Sequence, residues 1–257
     1  MILTHSKFLY GISVSTSTKY IDFEDGSNTF GVSISVGAKT PDDLISQIEE
    51  AMNGVGSTVT FTVSFNRSTR IFTIAGDGSF NLLVSTGDNA ASGIYSVLGI
   101  ATASDFTGVT SVVGSTAVGT YYQTQFKLQD FIHSDWNQTQ RFSEVNKAAS
   151  GLTTMVTFGT DAIFEMSFKW LTDRVQQSSS PIRSGTIATF ISLMQWMTLK
   201  KPVEFFPDEN DITDYYKVIL DSSSESATGA GYKLNPKYGM NLIGYYDTGV
   251  MKMRIVP

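Results

Sequence analysis

Few side chains in this sequence stand at a spacing that chemistry requires. There are two histidines, His5 near the N-terminus and His133 within Asp130-Phe131-Ile132-His133-Ser134-Asp135-Trp136. The simplest reading of His133 is a loop residue bonded to Asp130 or Asp135. Zinc sites take their ligands at short fixed spacings such as His-x-x-x-His, and no such pair occurs. The stretch Asp208-Glu209-Asn210-Asp211-Ile212-Thr213-Asp214 offers alternating oxygen ligands to calcium. It lacks the loop glycine and the terminal bidentate glutamate of an EF-hand. Lying between Phe206-Pro207 and Tyr215-Tyr216, it reads better as a solvated turn between strands. Glu144 and Glu165 fall on candidate strands, and a glycosidase needs two carboxylates about 5–10 Å apart. Any β-rich protein supplies such residues, so nothing marks these two out. Trp136, Trp170 and Trp196 could stack on sugars, yet Trp170 and Trp196 sit in apolar patterns suited to a core. No G-x-S-x-G elbow, Walker loop or G-x-G-x-x-G following a strand is present, and Gly229-Ala230-Gly231 is turn material. With no cysteine, thiolate chemistry and disulfides are excluded. The expectation is a protein with no catalytic residue, no metal ligand and no cofactor, and not an enzyme.

The elements that would carry a non-catalytic function separate into three regions. Residues 1–29 read as an opening hairpin, with short β-type runs at 8–14 and 20–23 around a Ser/Thr stretch. Residues 30–113 read as an inserted strand–helix–strand–strand module. Val32, Ile34 and Val36 alternate with Ser33 and Ser35, the period of a half-buried strand. Thr40-Pro41-Asp42-Asp43 then opens a helix, with Thr40 as N-cap, Pro41 in the first turn and Asp43 completing a capping box. Leu44, Ile45, Ile48, Ala51 and Met52 continue at helical spacing until Asn53-Gly54. Strands are expected at 59–65 and 70–74 around the turn Asn66-Arg67-Ser68-Thr69, then a strand at 80–84 and a short helix at 91–98. Residues 107–120, rich in Gly, Ser and Thr, read as a linker with one weak strand at 109–113.

From 121 onward the pattern is mostly strand. Segments 141–149 and 153–157 flank a tight turn at Ser150-Gly151-Leu152, and 163–170 reads as a long strand. Ile187, Phe190, Ile191, Met194 and Met197 mark one face of a helix that ends at Lys200-Lys201-Pro202. Strands at 203–206, 215–221, 240–246 and 250–256 follow, the last two forming a terminal hairpin about Asp247-Thr248-Gly249. The predicted architecture is α+β and mainly β. A C-terminal antiparallel sandwich or barrel with one packed helix is built with the opening hairpin (1–29 and 114–257), and the α/β module (30–113) is inserted between.

Composition agrees with contacts rather than catalysis. Of 257 residues, 16% are charged, against roughly 25% in ordinary globular proteins. The net charge of −6 leaves no basic stripe to displace phosphate counterions, which argues against sequence-specific nucleic-acid binding. An aromatic content of 12% excludes a disordered chain. No apolar run approaches the ~18 residues of a membrane span, and no secretory signal is recognisable.

The stretch Gln195-Trp196-Met197-Thr198-Leu199-Lys200-Lys201-Pro202-Val203-Glu204-Phe205-Phe206-Pro207-Asp208, followed by Asp214-Tyr215-Tyr216-Lys217-Val218-Ile219-Leu220, resembles distal tail and minor tail proteins of long-tailed bacteriophages. There, a helix ending near a tryptophan precedes a Phe-x-Pro-Asp strand end, a short acidic loop and a Tyr-x-Val-x-Leu strand. The resemblance covers roughly 138–257, and the module at 30–113 is similar to small modules of phage structural proteins. It implies a subunit of the virion tail, assembled in the host cytoplasm. Such a subunit forms a homo-hexameric ring of the distal tail or baseplate and contacts tube, hub, tape-measure and fibre proteins. A tail tube or tail terminator subunit, or a host-surface carbohydrate-binding or depolymerising tail protein, are the competing readings. The residues expected at assembly contacts are Pro202, Phe205, Phe206, Pro207, Asp208, Tyr215, Tyr216, Asp247, Thr248 and Gly249. Phe205, Phe206, Tyr215 and Tyr216 are expected to alternate between core and interface.

Overall fold

The computed structural model describes residues 6–123, 140–147, 153–161, 163–166, 171–172, 187–221, 234–236, 245–248 and 251–256. The chain is α+β and mainly β, with antiparallel sheets and two α-helices among the described residues. It divides into two compact units, Tyr10–Thr120 and the combination of Met1–Leu9 with Tyr121–Pro257.

The chain opens with β1 (Lys7–Tyr10), whose sheet neighbours are the strands at 203–206 and 120–123. The expected opening hairpin does not form, because the next strands pair elsewhere. β2 (Ser13–Val14) pairs with β5 (Gly37–Ala38), while β3 (Tyr20–Glu24) pairs with β4 (Thr29–Ser33) through a turn at 25–28. That turn is fixed by Asp25, whose carboxylate accepts from the backbone N–H of Ser27 and Asn28. The first unit is accordingly wider than the expected module at 30–113.

The helix α1 (Pro41–Asn53) forms as its cap predicts. Thr40 Oγ1 accepts from the Asp43 N–H, and Asp43 Oδ2 accepts from the Thr40 N–H. Leu44, Ile48 and Met52 are fully buried. β6 (Phe61–Asn66) alternates strictly, with Phe61, Val63 and Phe65 inward and Thr62, Ser64 and Asn66 outward. β7 (Ile71–Leu82) runs on as a single strand where two shorter ones are expected. Gly76 and Gly78 let it pass close to Val59, since a Cβ on Gly76 would lie 2.6 Å from Val59 Cγ1. Against the strand at 106–113 its register slips between Ala75 and Phe80, and on the other side Asp77 extends the pairing with β6 by accepting from the Thr60 N–H at 2.7 Å and donating to the Thr60 carbonyl.

The segment expected as a helix at 91–98 is instead two 3₁₀ turns, Ala90–Ser92 and Ile94–Ser96, separated by Gly93 in an extended conformation. β8 (Phe106–Val113) then pairs with β7, so the weak strand foreseen in a linker belongs to the module's sheet. Phe23, Phe61 and Phe80 pack edge to face at 4.9 and 5.1 Å in the core of this unit.

The second unit holds a six-stranded sheet. Its members are β9 (Thr120–Gln123), β1, β12 (Ile163–Met166), β14 (Val203–Phe206), β15 (Tyr216–Leu220) and β18 (Met251–Ile255), in the order β12-β18-β15-β14-β1-β9. β14 is central, with Phe8 opposite Phe205 on one side and Tyr216 opposite Phe205 on the other. α2 (Ile187–Thr198) contributes Phe190, Leu193, Met194 and Met197, all without exposed surface. Leu193 takes the buried place expected of Ile191, which is half-exposed. β10 (Gln140–Lys147) and β11 (Thr153–Asp161) pair as the sequence suggests; the turn at 150–152 lies outside the described residues.

The terminal hairpin is corrected. β17 (Tyr245–Thr248) pairs with β16 (Leu234–Pro236) and β13 (Leu171–Thr172) in a separate three-stranded sheet, whereas β18 pairs with β12 and β15. The strands on either side of 249–250 thus serve different sheets.

Candidate assembly surface

The helix–strand–loop–strand stretch from α2 to β15 is the longest described segment of the second unit and carries its exposed acidic loop. α2 ends where Lys200 adopts a left-handed conformation, with φ +57°. The Lys200 ammonium donates to the Leu220 carbonyl at 2.6 Å, and Lys201 lies 4.3 Å over the Trp196 ring. Trp196 Nε1 donates to the Pro202 carbonyl at 3.0 Å, so Pro202 is held from behind as β14 begins.

Along β14 both aromatic residues point into protein. Phe205 is 1% exposed and rests on Phe8, with ring centroids 4.9 Å apart; Phe8 in turn meets Tyr122, and Tyr122 meets Phe190 of α2. Phe206, on the opposite face, has no exposed surface and packs against Tyr121 at 6.1 Å and Tyr215 at 5.5 Å. The expected alternation between core and interface is therefore wrong for these two residues, because a central strand is covered on both faces. Tyr215 and Tyr216 are half-buried.

The aromatic group around Phe206 encloses one cation that the sequence reading missed. Lys7 is 7% exposed, with its ammonium 4.7 Å from the Tyr121 ring centroid and 5.0 Å from that of Phe206. It donates to the backbone carbonyl of Glu209 at 2.8 Å, and Gln123 Nε2 donates to the Glu209 carboxylate. Burial lowers the Lys7 pKa, and the neighbouring carboxylates of Glu209 and Asp208 offset part of that shift. The only local signal was a lysine inside an apolar strand; its partner is 202 positions away.

The loop itself is organised by its own carboxylates. Asp208 Oδ1 accepts from the Asn210 N–H at 2.8 Å, and Asp211 Oδ1 accepts from the Thr213 N–H and hydroxyl at 2.9 and 2.6 Å. These are the side-chain-to-backbone bonds of tight turns. Hydrogen bonds from Thr213, hydroxyl first and backbone second, hold the Asp211 carboxyl below the usual range. Among the described residues no group of three or more His, Asp or Glu could hold a metal ion. What the loop presents is a self-bonded acidic turn: Asn210, Asp211, Thr213 and Asp214 are exposed, and Pro207, Asp208 and Glu209 half-buried.

Asp247 stands opposite Asn235 and Thr248 opposite Leu234 on β17, in the separate sheet, and Gly249 lies outside the described residues. Glu144 and Glu165 are on strands of different sheets, and His5, His133, Trp136 and Trp170 lie outside the described residues. No described helix is long and apolar enough to cross a membrane.

The fold is that of an antiparallel, mainly β, α+β protein, and its second unit presents a self-bonded loop at 207–214. No protein-family model matches the sequence, and no curated protein is significantly similar to it.

Proposed function

We propose that the chain is a structural subunit of a bacteriophage tail, a distal tail or baseplate ring component that joins the tail tube to the tip. On this reading it works as a homo-hexameric ring and through contacts with other tail proteins of the virion. The observation that carries the reading is the course of residues 187–221. A helix followed by Lys200 and Lys201 leads to a doubly covered strand, a self-bonded acidic loop, and a returning strand. This is the order on which the resemblance to distal tail proteins is read. A loop pinned to its sheet by Lys7 is ordered before a partner arrives, which reduces the entropy lost on docking. Its exposed carboxylates favour a cationic surface on the neighbour.

Immunogold electron microscopy of purified tailed particles carrying this polypeptide, with antibody raised against residues 208–214, tests the assignment. Label at the end of the tail farthest from the head is the expected result. Label on the head, or along the whole tube, overturns it.

A further inference from the structure

The module Tyr10–Thr120 treats two edges of its sheet differently. β6 is closed by α1. Asn53 Oδ1 accepts from the Phe61 N–H at 2.7 Å while its amide donates to the Phe61 carbonyl, and Glu49 Oε1 accepts from the Val63 N–H at 2.7 Å. These are three of the outward backbone groups of β6, and with them satisfied this end of the strand is closed to another strand. β8 has no such cover. It pairs with β7 on one side, and among the described residues no strand pairs with its other side.

The register shows which groups β8 offers. Gly114 donates to the Phe72 carbonyl at 2.8 Å, and Val113 stands opposite Thr73, Val112 opposite Ile74, Ser111 opposite Ala75. Backbone groups alternate in direction along an antiparallel pair, so those of Ser111 and Val113 face away from β7. The edge is irregular near Gly108, where the register with β7 shifts, but from Val109 to Val113 it carries neither a charge nor a proline to keep another strand away. Residues 106–126 contain no charged residue and no proline. Val113 is 56% exposed, one of few large apolar side chains so placed among the described residues.

We infer that β8 pairs antiparallel with β8 of a second copy of this chain, about a two-fold axis at Ser111. In that register Val109 meets Val113 of the copy and Thr110 meets Val112, so β-branched side chains stand opposite one another with no charge between them. Outward pairs at 109, 111 and 113 exchange about six hydrogen bonds. The charge pattern selects a copy of this strand over an acidic or basic partner segment, because such a segment would bring charges with no counterpart on 106–126. A pairing of residues 109–113 buries less than the roughly 1,200 Å² of a stable interface, so the association is reversible and depends on concentration. A two-fold contact closes on itself and is distinct from the head-to-tail contacts of a ring.

Sedimentation of the full chain across a wide concentration range tests this. The expected result is a species of twice the 28.1 kDa monomer mass that grows with concentration. Val113→Lys and Ser111→Pro, the latter removing only an outward N–H, should each weaken it about tenfold or more with the circular dichroism spectrum unchanged. Because the chain has no cysteine, Ser111→Cys with a short bis-maleimide should give a covalent dimer far more efficiently than Ser64→Cys on the blocked strand β6. A monomer at every concentration, a dimer untouched by both substitutions, or equal cross-linking at 111 and 64 overturns the inference. A six-copy ring that both substitutions leave intact supports the tail-ring reading and overturns this one.

Discussion

Lys7 tests how much one enclosed cation contributes to the second unit. Its stem lies in the aromatic group of Tyr121 and Phe206, and its head holds the Glu209 carbonyl. Lys7→Met keeps the stem and removes the donor and the charge, a loss of about 1 kcal/mol; Lys7→Ala also empties the site and costs about 2–3 kcal/mol. Urea unfolding of both variants checks the order, and equal losses would show that the donor and its charge matter and the packing of the stem does not. Asp25 raises a different question, that of acid stability. Thr58, Asn28 and Ser27 donate backbone hydrogen bonds to its carboxylate, which hold its pKa well below the ordinary value of 3.8. A carboxyl depressed in the folded state stabilises above its unfolded pKa, and the contribution fades as pH falls through the folded value. Stability should be flat from neutral pH down to about 5 on account of this group and decline below about 4. Asp25→Asn cannot titrate, so its unfolding midpoint should start lower at pH 7 and show a shallower decline between pH 4 and 2. An unchanged acid limb would remove Asp25 from the cause.

At the scale of elements, α1 shows why some structure is legible in sequence and some is not. Thr40, Pro41 and Asp43 act within one turn, so the cap can be read from adjacent residues, and the helix begins where they place it. The same holds for the turn at 66–69, where Asn66 Oδ1 accepts from the Ser68 and Thr69 N–H groups. Strand partners are another matter. β1 and β3 both have β-type sequences with a Ser/Thr stretch between, and nothing local says that one joins Val203–Phe206 and the other Ile71–Leu82. Phe205 and Phe206 look like an alternating pair until β14 proves central. Lys7 was illegible because its partners belong to other elements. The helix also does something its sequence hardly hints at, closing the β6 edge through Glu49 and Asn53. Removing both side chains (Glu49→Ala with Asn53→Ala) should leave α1 helical yet unprotect the outward amides of β6. Hydrogen exchange at Phe61 and Val63 should accelerate at least about tenfold relative to Thr62 and Ser64, which bond to β7. Uniform acceleration along β6 would mean that the strand itself has come loose.

Over the whole molecule, the charge is unevenly shared. Residues 10–120 carry ten Asp and Glu against four Lys and Arg, while the remaining residues carry fourteen of each, so the net −6 belongs entirely to the module. The uncharged edge β8 lies on that same module, which sets two effects against each other. At the strand, apolar and backbone contacts attract a second copy. Beyond it, two bodies of net −6 repel over a range set by the ionic strength, about 10 Å at 0.1 M and about 3 Å at 1 M. Backbone hydrogen bonds and β-branched contacts depend little on salt, so screening weakens the repulsion while leaving the attraction. The β8 dimer should therefore tighten as salt rises, by roughly threefold or more between about 0.05 and 0.5 M sodium chloride. An interface held by ion pairs, such as one between the loop at 208–214 and a cationic neighbour, should loosen over the same range. Sedimentation at a series of salt concentrations thus identifies which surface is in contact, and a self-association that weakens with salt would move the contact from β8 to the acidic loop.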